Sequence, residues 1–147
     1  MTFANTEQAE YWESRASSWM SLESHHEQVI GEAGRMAMDR LDPQPGQIVV
    51  DLGCGTGQTT LELARRVLPG GRAVGFDISA PLLERAREHA AGAGVDNVEL
   101  QHADVQSSDI GTARFDGAFS RFGVMFFADP VAAFSNIHGA LKPGAVL

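Results

Sequence analysis

Short apolar runs alternate with longer amphipathic stretches from Gln47 to the end of the chain. The runs predict strands at 48–52, 73–77, 98–103 and 115–120, with a fifth strand beginning at 145–147. The stretches between them predict helices at about 58–68, 81–91 and 131–141. Short strands that alternate with helices of roughly 10–15 residues are typical of right-handed βαβ crossovers. The pattern therefore predicts an α/β fold with a parallel sheet between layers of helices.

The first 45 residues have a different, helical pattern. Asn5 followed by Gln8 resembles a capping box that opens a helix at 6–18. A second helix is predicted at 25–41, and it ends where Asp42 precedes a proline. Residues 1–45 are therefore interpreted as a helical extension or lid on a sheet domain at 46–147, and the two parts are expected to form effectively one domain.

Charge and composition narrow the function classes. The chain has 147 residues, which suits a single domain, and its formal net charge is -8. Broad nucleic-acid binding requires a basic face, so this charge argues against a nucleic-acid partner. A small or uncharged substrate is the better match.

Cys54 is the only cysteine, which excludes an intrachain disulfide and a multi-cysteine zinc site. No metal is expected. The N-terminus has neither the basic nor the apolar region of a secretory signal. No run of about 18 apolar residues is available to span a bilayer. The sequence thus predicts a cytoplasmic protein without a membrane partner.

The stretch IVVDLGCGTG, which ends at Gly57, predicts a strand that runs into a tight turn and then a helix. Gly53, Gly55 and Gly57 lack a Cβ, so a ligand can approach the backbone closely there. Free N–H groups at the start of the following helix point toward the same place. This junction predicts a site for a nucleotide-like ligand.

Acidic residues stand at the ends of three predicted strands. Asp51 ends the first strand, Asp77 the second, and Asp104 follows the third. Ligands of open parallel sheets bind beyond these carboxyl ends. Asp77 can accept two hydrogen bonds from ribose hydroxyls, although it could also cap the next helix, a role for which Ser79 is better placed. The common placement predicts one site formed by all three acids.

The glycine spacing distinguishes two ligand classes. The nicotinamide fingerprint is G-x-G-x-x-G, but here the third glycine, Gly57, comes one residue too early. Asp51 would also disfavour a pyrophosphate and could receive an ammonium group, directly or through water. Together with the ribose acid Asp77, this D-x-G-x-G-x-G motif resembles the class I S-adenosylmethionine-dependent methyltransferases. A nicotinamide oxidoreductase is the disfavoured alternative.

The resemblance covers about residues 11–147 and implies a Rossmann-like three-layer αβα fold that binds S-adenosylmethionine or S-adenosylhomocysteine. It implies that Asp77 holds the ribose, Ile78 packs on adenine, Asp104 accepts from its amine, and the Val105 N–H donates to the ring. Other residues expected at the cofactor are Asp51, Gly53, Cys54, Gly55, Gly57, Ser120, Trp12 and Trp19. The tryptophans could form a lid, since aromatic faces attract a sulfonium cation, or simply pack on the sheet.

The stretch SRFGVMFFADP, from Ser120 to Pro130, resembles the small-molecule branch of the family, of the ubiquinone and menaquinone biosynthesis type. The implied activity is methyl transfer to a small-molecule acceptor. His25 and His26 are possible general bases but are more typical of exposed positions, and Arg121 could bind a substrate anion or pair with an acid. No pair of side chains identifies an acid–base system, so the catalytic residues stay unassigned.

The family sheet has strand order 3-2-1-4-5-7-6, whereas this chain stops three residues into strand five. We therefore expect order 3-2-1-4-5 with the later strands missing, and either a truncated enzyme or a chain that needs a partner. Unpaired backbone groups beside strand four predict self-association through the strand-four and strand-five edge. A cofactor-binding module without its own catalysis is the second functional hypothesis.

Overall fold

The computed structural model describes residues 3–147, so the first two residues of the predicted 1–45 extension lie outside it. Two long helices begin this part of the chain, α1 (Thr6–Ser21) and α2 (Glu23–Leu41). The remaining elements follow in the order β1 (Ile48–Leu52), α3 (Gln58–Arg66), β2 (Arg72–Asp77), α4 (Ala80–Ala93), β3 (Val98–His102), β4 (Gly117–Phe119), a 3-10 helix (Gly123–Phe126) and α5 (Pro130–Ala140). Within this range, no helix combines the length and the apolar character needed to cross a membrane.

The strands form one parallel sheet in the order β3-β2-β1-β4, as predicted for these four. Val50 of β1 lies opposite Val74 on one side and Ala118 on the other. Because all four strands run in the same direction, their carboxyl ends meet at one edge. The crossovers therefore bring the loops after β1, β2, β3 and β4 to the same side of the molecule.

Alternate residues of β1 supply two separate apolar clusters, one on each face of the sheet. Val50 and Leu52 pack into a cluster that includes Ile137 of α5. Val49 packs into the other cluster, with Met38 of α2 and Leu63 of α3. Helices therefore cover both faces of the central strand, which confirms the layered α/β architecture. The end of α2 belongs to this core, since Met38 is buried.

The predicted bounds of the later strands need correction. β3 ends at His102 instead of residue 103, and β4 covers Gly117–Phe119 instead of 115–120. The expected fifth strand at 145–147 does not form. Phe115 makes one isolated parallel bridge with Leu141, and the Ala118 N–H donates to the Val146 carbonyl at 2.9 Å. A segment with so few ladder bonds does not hold regular strand geometry.

Two predicted helix caps are also wrong. Asn5 makes no side-chain cap to α1, which extends to Ser21 instead of residue 18. Ser79 makes no side-chain cap to α4 either. The Asn5 and Ser79 N–H groups donate instead to carboxylates of Asp104 and Asp77, described below. Asp129, by contrast, caps α5, because its carboxylate accepts from the Ala132 N–H at 3.0 Å.

Candidate functional site

A pocket lies beyond the carboxyl ends of the strands, where α1, α2 and the loop after β4 close over it. Its wall includes most of the predicted site residues, namely Trp12, Trp19, Gly53, Cys54, Gly55, Asp77, Ile78, Asp104 and Val105. Asp51, Gly57 and Ser120 are not part of the wall. The topology thus gathers the strand-end acids and the glycine turn around one cavity, with three predicted residues standing behind it.

The glycine turn after β1 is held beneath β2 and against the loop after β4. The N–H groups of Gly53 and Cys54 both donate to the Phe76 carbonyl, at 2.9 and 3.0 Å. Gly53 has a φ of +72°, and a Cβ added there would lie 2.9 Å from the Cα of Gly123. Only glycine fits this close approach of two backbones. The two loops therefore form one continuous floor for the pocket.

Gly57 has a structural place in the fold instead of a place in the wall. It adopts a φ of +83° at the N-cap of α3. A Cβ at this position would meet the Ala86 Cβ at 2.9 Å. The absence of a side chain thus lets α3 pack closely on α4. Gly57 is the early third glycine that distinguishes this motif from a nicotinamide fingerprint. The packing of α3 on α4 accounts for a glycine at this position.

Asp51 is fully buried under the glycine turn. Its Oδ2 accepts hydrogen bonds from the Thr59 and Thr60 hydroxyls at 2.6 and 2.7 Å. Its Oδ1 has no hydrogen-bond partner among residues 3–147. Burial raises the pKa of Asp51 to about 6, while the two hydroxyls and the positive charge of Arg121 act in the opposite direction.

The structure therefore changes the predicted contact of Asp51. The carboxylate does not reach the wall, but Thr59 does. Because the Thr59 hydroxyl donates its hydrogen bond to Asp51, its oxygen can only accept hydrogen bonds from a ligand. A donor group in the pocket would thus meet the charge of Asp51 through Thr59. No motif in the sequence points to this threonine, because its role depends on the first turn of α3, which brings its hydroxyl to Asp51.

Asp77 lies at the end of β2 with both carboxylate oxygens fixed by backbone groups. Oδ2 accepts from the Gly55 N–H at 2.7 Å, and Oδ1 accepts from the Ser79 N–H at 2.8 Å. Burial raises the pKa of Asp77, against the lowering effect of these hydrogen bonds. A carboxylate offers about four lone-pair sites, so about two stay free for hydroxyl donors. Asp77 therefore fixes the turn before α4 through the Ser79 N–H and is also an acceptor in the wall.

Asp104 ties the N-terminal segment to the site. Its Oδ2 accepts from the Asn5 N–H at 2.9 Å and from the Ser107 hydroxyl at 2.8 Å, and its Oδ1 accepts from the Gln106 N–H at 3.0 Å. The side-chain amide of Asn5 also donates to the Phe126 carbonyl at 3.1 Å. One acceptor site of Asp104 stays available. Asn5 also lines the pocket. The sequence pattern predicts only a helix cap at Asn5 and so misses this role.

The backbone N–H of Val105 donates to no group among residues 3–147, although the residue is 6% exposed. Buried N–H groups are rarely left without a partner. This N–H therefore fits the predicted donor to a heterocycle. Val105 follows Asp104 in the chain, and both residues line the wall.

Aromatic side chains from α1 and the 3-10 helix form one side of the pocket. The ring of Trp12 packs edge to face with Trp19 at 5.4 Å and with Phe126 at 5.2 Å. These rings contact one another and also line the cavity, so both predicted roles of the tryptophans remain compatible with the structure. His26 stacks on Trp19 at 3.9 Å, and neither His25 nor His26 reaches the wall.

The loop after β4 is anchored by Ser120. Its hydroxyl donates to the Leu52 carbonyl at 2.8 Å and accepts from the Val124 N–H at 3.2 Å. Ser120 therefore joins two loops instead of facing the cavity as predicted. The next residues do reach the wall, and Phe122 does so with a φ of +66°, a strained conformation for a bulky side chain. Strain of this kind concentrates at functional sites.

Comparison with known proteins identifies the family. The family model of the methyltransferase domain matches residues 49–144. An O-methyltransferase from Pyrenophora dematioidea is 32% identical over 138 residues, which cover 93% of this chain and 49% of the relative. A demethylmenaquinone methyltransferase from Desulfitobacterium hafniense is 31% identical over 114 residues, covering 77% of this chain and 45% of the relative. The chain thus spans about half the length of these curated relatives.

A solved structure agrees with these relatives. Phosphoethanolamine N-methyltransferase 2 from Haemonchus contortus, determined with phosphomonomethylethanolamine and S-adenosylhomocysteine, superimposes with a TM-score of 0.72. The two chains are 28% identical over a region that covers 78% of this chain and 27% of the other. The match of the family model extends over more than half of the sequence. The protein therefore belongs to the class I S-adenosylmethionine-dependent methyltransferase family.

Proposed function

We propose that the protein binds S-adenosylmethionine in the strand-end pocket and transfers its methyl group to a small-molecule acceptor. The observation that carries this proposal is the convergence of Asp77, Asp104 and the glycine turn on one cavity in a chain of this family. The glycine turn follows β1, Asp77 ends β2 and Asp104 follows β3, so their meeting is a property of the fold and not of one motif.

The donor and acceptor set of the wall fits the cofactor. Asp77 keeps free lone pairs for ribose hydroxyls, and a carboxylate there would repel a phosphorylated ribose. Asp104 and the Val105 N–H offer the acceptor and donor that an adenine edge requires. Thr59, backed by Asp51, offers acceptors to an ammonium group. Ile78 and the aromatic side add apolar surface for the rings.

Catalysis under this proposal depends on placement. When bound, the cofactor supplies an electrophilic methyl group on a sulfonium. Holding the two reactants in line provides much of the rate enhancement for such a displacement. The joined loops carrying Gly53 and Gly123 supply a rigid floor for that placement. No catalytic acid or base is assigned, because His25 and His26 stand away from the wall.

Calorimetric titration with S-adenosylhomocysteine tests the cofactor assignment. Asp77→Asn is expected to weaken binding by about tenfold or more, the range for losing hydrogen bonds to a charged group. Asp96→Asn is the matched control, since this exposed carboxylate makes no hydrogen bond within the described chain. Equal affinities for the wild type and Asp77→Asn would refute the assignment.

A quinone-type or related apolar acceptor is the finer part of the proposal. It is supported by the SRFGVMFFADP stretch and by the similarity to a demethylmenaquinone methyltransferase. Phe122, Phe126 and Phe127 give the pocket an apolar side suited to such a ring. A screen with radiolabelled cofactor against quinols, phenols and amines tests it. Transfer only to amines would contradict this acceptor class.

A cofactor-binding module without its own transferase activity is the second candidate. It uses the same cofactor pocket as the first candidate and differs from it only in the absence of methyl transfer. This candidate predicts cofactor binding without transfer to any acceptor in the same screen. A single acceptor that is turned over would eliminate it.

Self-association through the β4 edge is the last part of the proposal. Val146 and Leu147 lie beside β4 and are 56% and 54% exposed. Pairing of two such edges would cover backbone groups and apolar side chains together. Sedimentation velocity at working concentration is expected to show a dimer or larger species. A strictly monomeric species would contradict this part without affecting the cofactor assignment.

A further inference from the structure

The junction between α1 and α2 is joined to α4 by a cluster of charged side chains. Leu22 alone separates the two helices, and Glu23 is the first residue of α2. Glu23 Oε1 accepts from Arg85 Nε at 3.3 Å, and its Oε2 lies 3.4 Å from His89 Nε2. The Glu23 side chain is only 13% exposed, so solvent screens these contacts less than it screens a surface ion pair. The cluster therefore fixes the start of α2 on the sheet domain.

His89 also contacts the glycine turn. Its Nδ1 lies 2.8 Å from the Thr56 carbonyl oxygen. Thr56 stands between Gly55 and Gly57 in the turn and lines the pocket wall. One turn earlier in α4, Ala86 is the residue against which Gly57 packs. Helix α4 thus supports the turn at two successive points, and His89 connects the turn to the start of α2.

The two ring nitrogens of His89 both face oxygen atoms. A carbonyl oxygen only accepts hydrogen bonds, so Nδ1 must carry a hydrogen to bind Thr56. In the neutral ring, Nε2 then presents a lone pair to the Glu23 carboxylate, which repels it. In the doubly protonated ring, the Nε2–H group presents a positive charge to that carboxylate instead. Only the charged form of His89 therefore satisfies both contacts.

The charges around His89 also favour its second proton. Glu23 approaches from α2, and α4 itself adds Arg85 and Glu88, which pair at 2.9 Å. Two carboxylates and one guanidinium leave a single negative charge, which a proton on His89 neutralises. Residues 16–22, which lead into Glu23, and the glycine turn carry no charged side chain. The acidic and histidine side chains of α3, β2 and β3, which also pack against α4, have other partners: Glu62 binds Arg66, Glu99 binds Arg114, Asp77 accepts from the Gly55 and Ser79 N–H groups, and His102 contacts the Ile78 carbonyl.

We propose that Glu23 and His89 form a latch that holds the α1–α2 extension closed over the pocket, and that the latch engages when His89 is doubly protonated. Histidine is the side chain whose charge ordinarily changes between about pH 5 and pH 8, so the latch responds to pH in that range. The extension contributes Trp12, Trp19 and Ile30 to the wall, so an engaged latch slows the passage of a ligand into and out of the cavity. This effect on ligand exchange rests on the proposed function, whereas the latch itself does not.

Hydrogen–deuterium exchange of the chain without added ligand tests the latch. The measured quantity is the protection of the amides at 26–33 in α2, corrected for the intrinsic exchange rate at each pH. In the wild type, protection is expected to be about three- to tenfold higher at pH 6 than at pH 8, between the effects of exposed ion pairs and of hydrogen bonds to charged groups. His89→Asn is expected to lose this difference, because asparagine can still donate to the Thr56 carbonyl but cannot take up a proton. Glu23→Gln keeps His89, removes the charge that it faces, and is expected to lose most of the difference.

His138→Asn is the matched control. His138 is an exposed histidine of α5 without a side-chain hydrogen bond or ion pair in the described chain. This variant is expected to keep the full difference between pH 6 and pH 8. All the proteins compared share Asp51 and the remaining histidines, so the effects of those groups cancel when the variants are compared with the wild type.

The rates of ligand exchange follow from stopped-flow tryptophan emission with S-adenosylhomocysteine at pH 6. His89→Asn is expected to raise both the association and the dissociation rate constants by about three- to tenfold. The ratio of the two constants is expected to change less than about twofold, because neither Glu23 nor His89 lines the wall. A residue that binds the ligand would instead change that ratio.

The exchange result decides the latch whether or not the ligand binds. Equal pH dependence of protection in the wild type and His89→Asn overturns the latch, and so does wild-type protection that is the same at pH 6 and pH 8. If His89→Asn does not fold, Glu23→Gln decides by the same comparison. A loss of affinity in His89→Asn without a change in protection assigns His89 to the glycine turn alone and also overturns the latch. Failure of the folded wild type to bind S-adenosylhomocysteine refutes the proposed function and leaves the latch to the exchange result.

Discussion

The buried carboxylate of Asp51 makes stability and cofactor binding respond to pH in opposite directions. Burial raises its pKa to about 6, from an ordinary value of 3.8. An acid whose pKa is raised by folding is protonated more readily in the native state than in the unfolded state. Its contribution to stability is therefore fully present below the unfolded pKa of 3.8 and is lost as the pH rises through about 6.

The size of the effect follows from the two pKa values. At pH 7 the carboxylate is almost fully ionised in both states, so it contributes no proton-linked stability. At pH 5 the native state is mostly protonated at Asp51, whereas the unfolded state is mostly ionised. Since one pKa unit corresponds to about 1.4 kcal/mol, Asp51 should add roughly 1 kcal/mol to the free energy of unfolding at pH 5 relative to pH 7.

Urea unfolding of the wild type and of Asp51→Asn at both pH values isolates this contribution. The asparagine carbonyl can still accept from the Thr59 and Thr60 hydroxyls but cannot titrate. The wild type is expected to gain roughly 1 kcal/mol more than the variant between pH 7 and pH 5. Subtracting the change in the variant from the change in the wild type cancels the contributions of the histidines and of Asp77, which both proteins share. The pKa of Asp77 is also raised.

Cofactor affinity should change in the other direction. Protonation of Asp51 removes the negative charge that stands behind Thr59, so S-adenosylhomocysteine should bind more weakly as the pH falls through about 6. The Asp51→Asn variant should bind weakly at both pH values. Equal pH dependence of unfolding in the wild type and the variant would refute the reasoning about burial. Equal pH dependence of binding would refute the link to the ligand.

Two further substitutions test the floor and the aromatic side of the pocket. Gly53→Ala should destabilise the protein by about 1 kcal/mol more than Gly55→Ala in urea unfolding. Both glycines have positive φ, but only a Cβ at Gly53 would meet the Gly123 backbone, at 2.9 Å. Equal losses of stability in the two variants would contradict that contact. Trp12→Leu should weaken S-adenosylmethionine more than S-adenosylhomocysteine in calorimetry, since only the former carries a sulfonium cation for the ring to attract. An equal loss would assign Trp12 to packing with Phe126 alone.

Local patterns were enough to predict the centre of the fold. The alternation of apolar runs and amphipathic stretches located β1, β2 and α3 closely, because these elements have clear periodicity and glycine or proline at their ends. Placing Asp77 and Asp104 at strand ends then predicted that they would meet, since carboxyl ends of parallel strands share one edge. The structure brings both into the pocket wall.

The remaining errors come from partners that are distant in sequence. Asn5 looks like a helix cap beside Gln8, but the Asp104 carboxylate, 99 residues away, takes its N–H. Ser120 is separated by 68 residues from the Leu52 carbonyl that it binds. Gly57 belongs to the glycine motif and was therefore predicted at the ligand. It instead packs against Ala86, a contact that depends on how α3 and α4 pack together. Such choices depend on tertiary contacts that spacing does not encode.

Titration of the folded protein with S-adenosylhomocysteine, followed by tryptophan emission, tests the central claim most directly. The chain has 2 tryptophans, and both Trp12 and Trp19 line the pocket, so a ligand bound there must change their surroundings. We predict a saturable change in emission with one ligand per chain, weakened in Asp77→Asn and unchanged in Asp96→Asn. A folded protein whose emission and heat of titration do not respond to the ligand would contradict the claim.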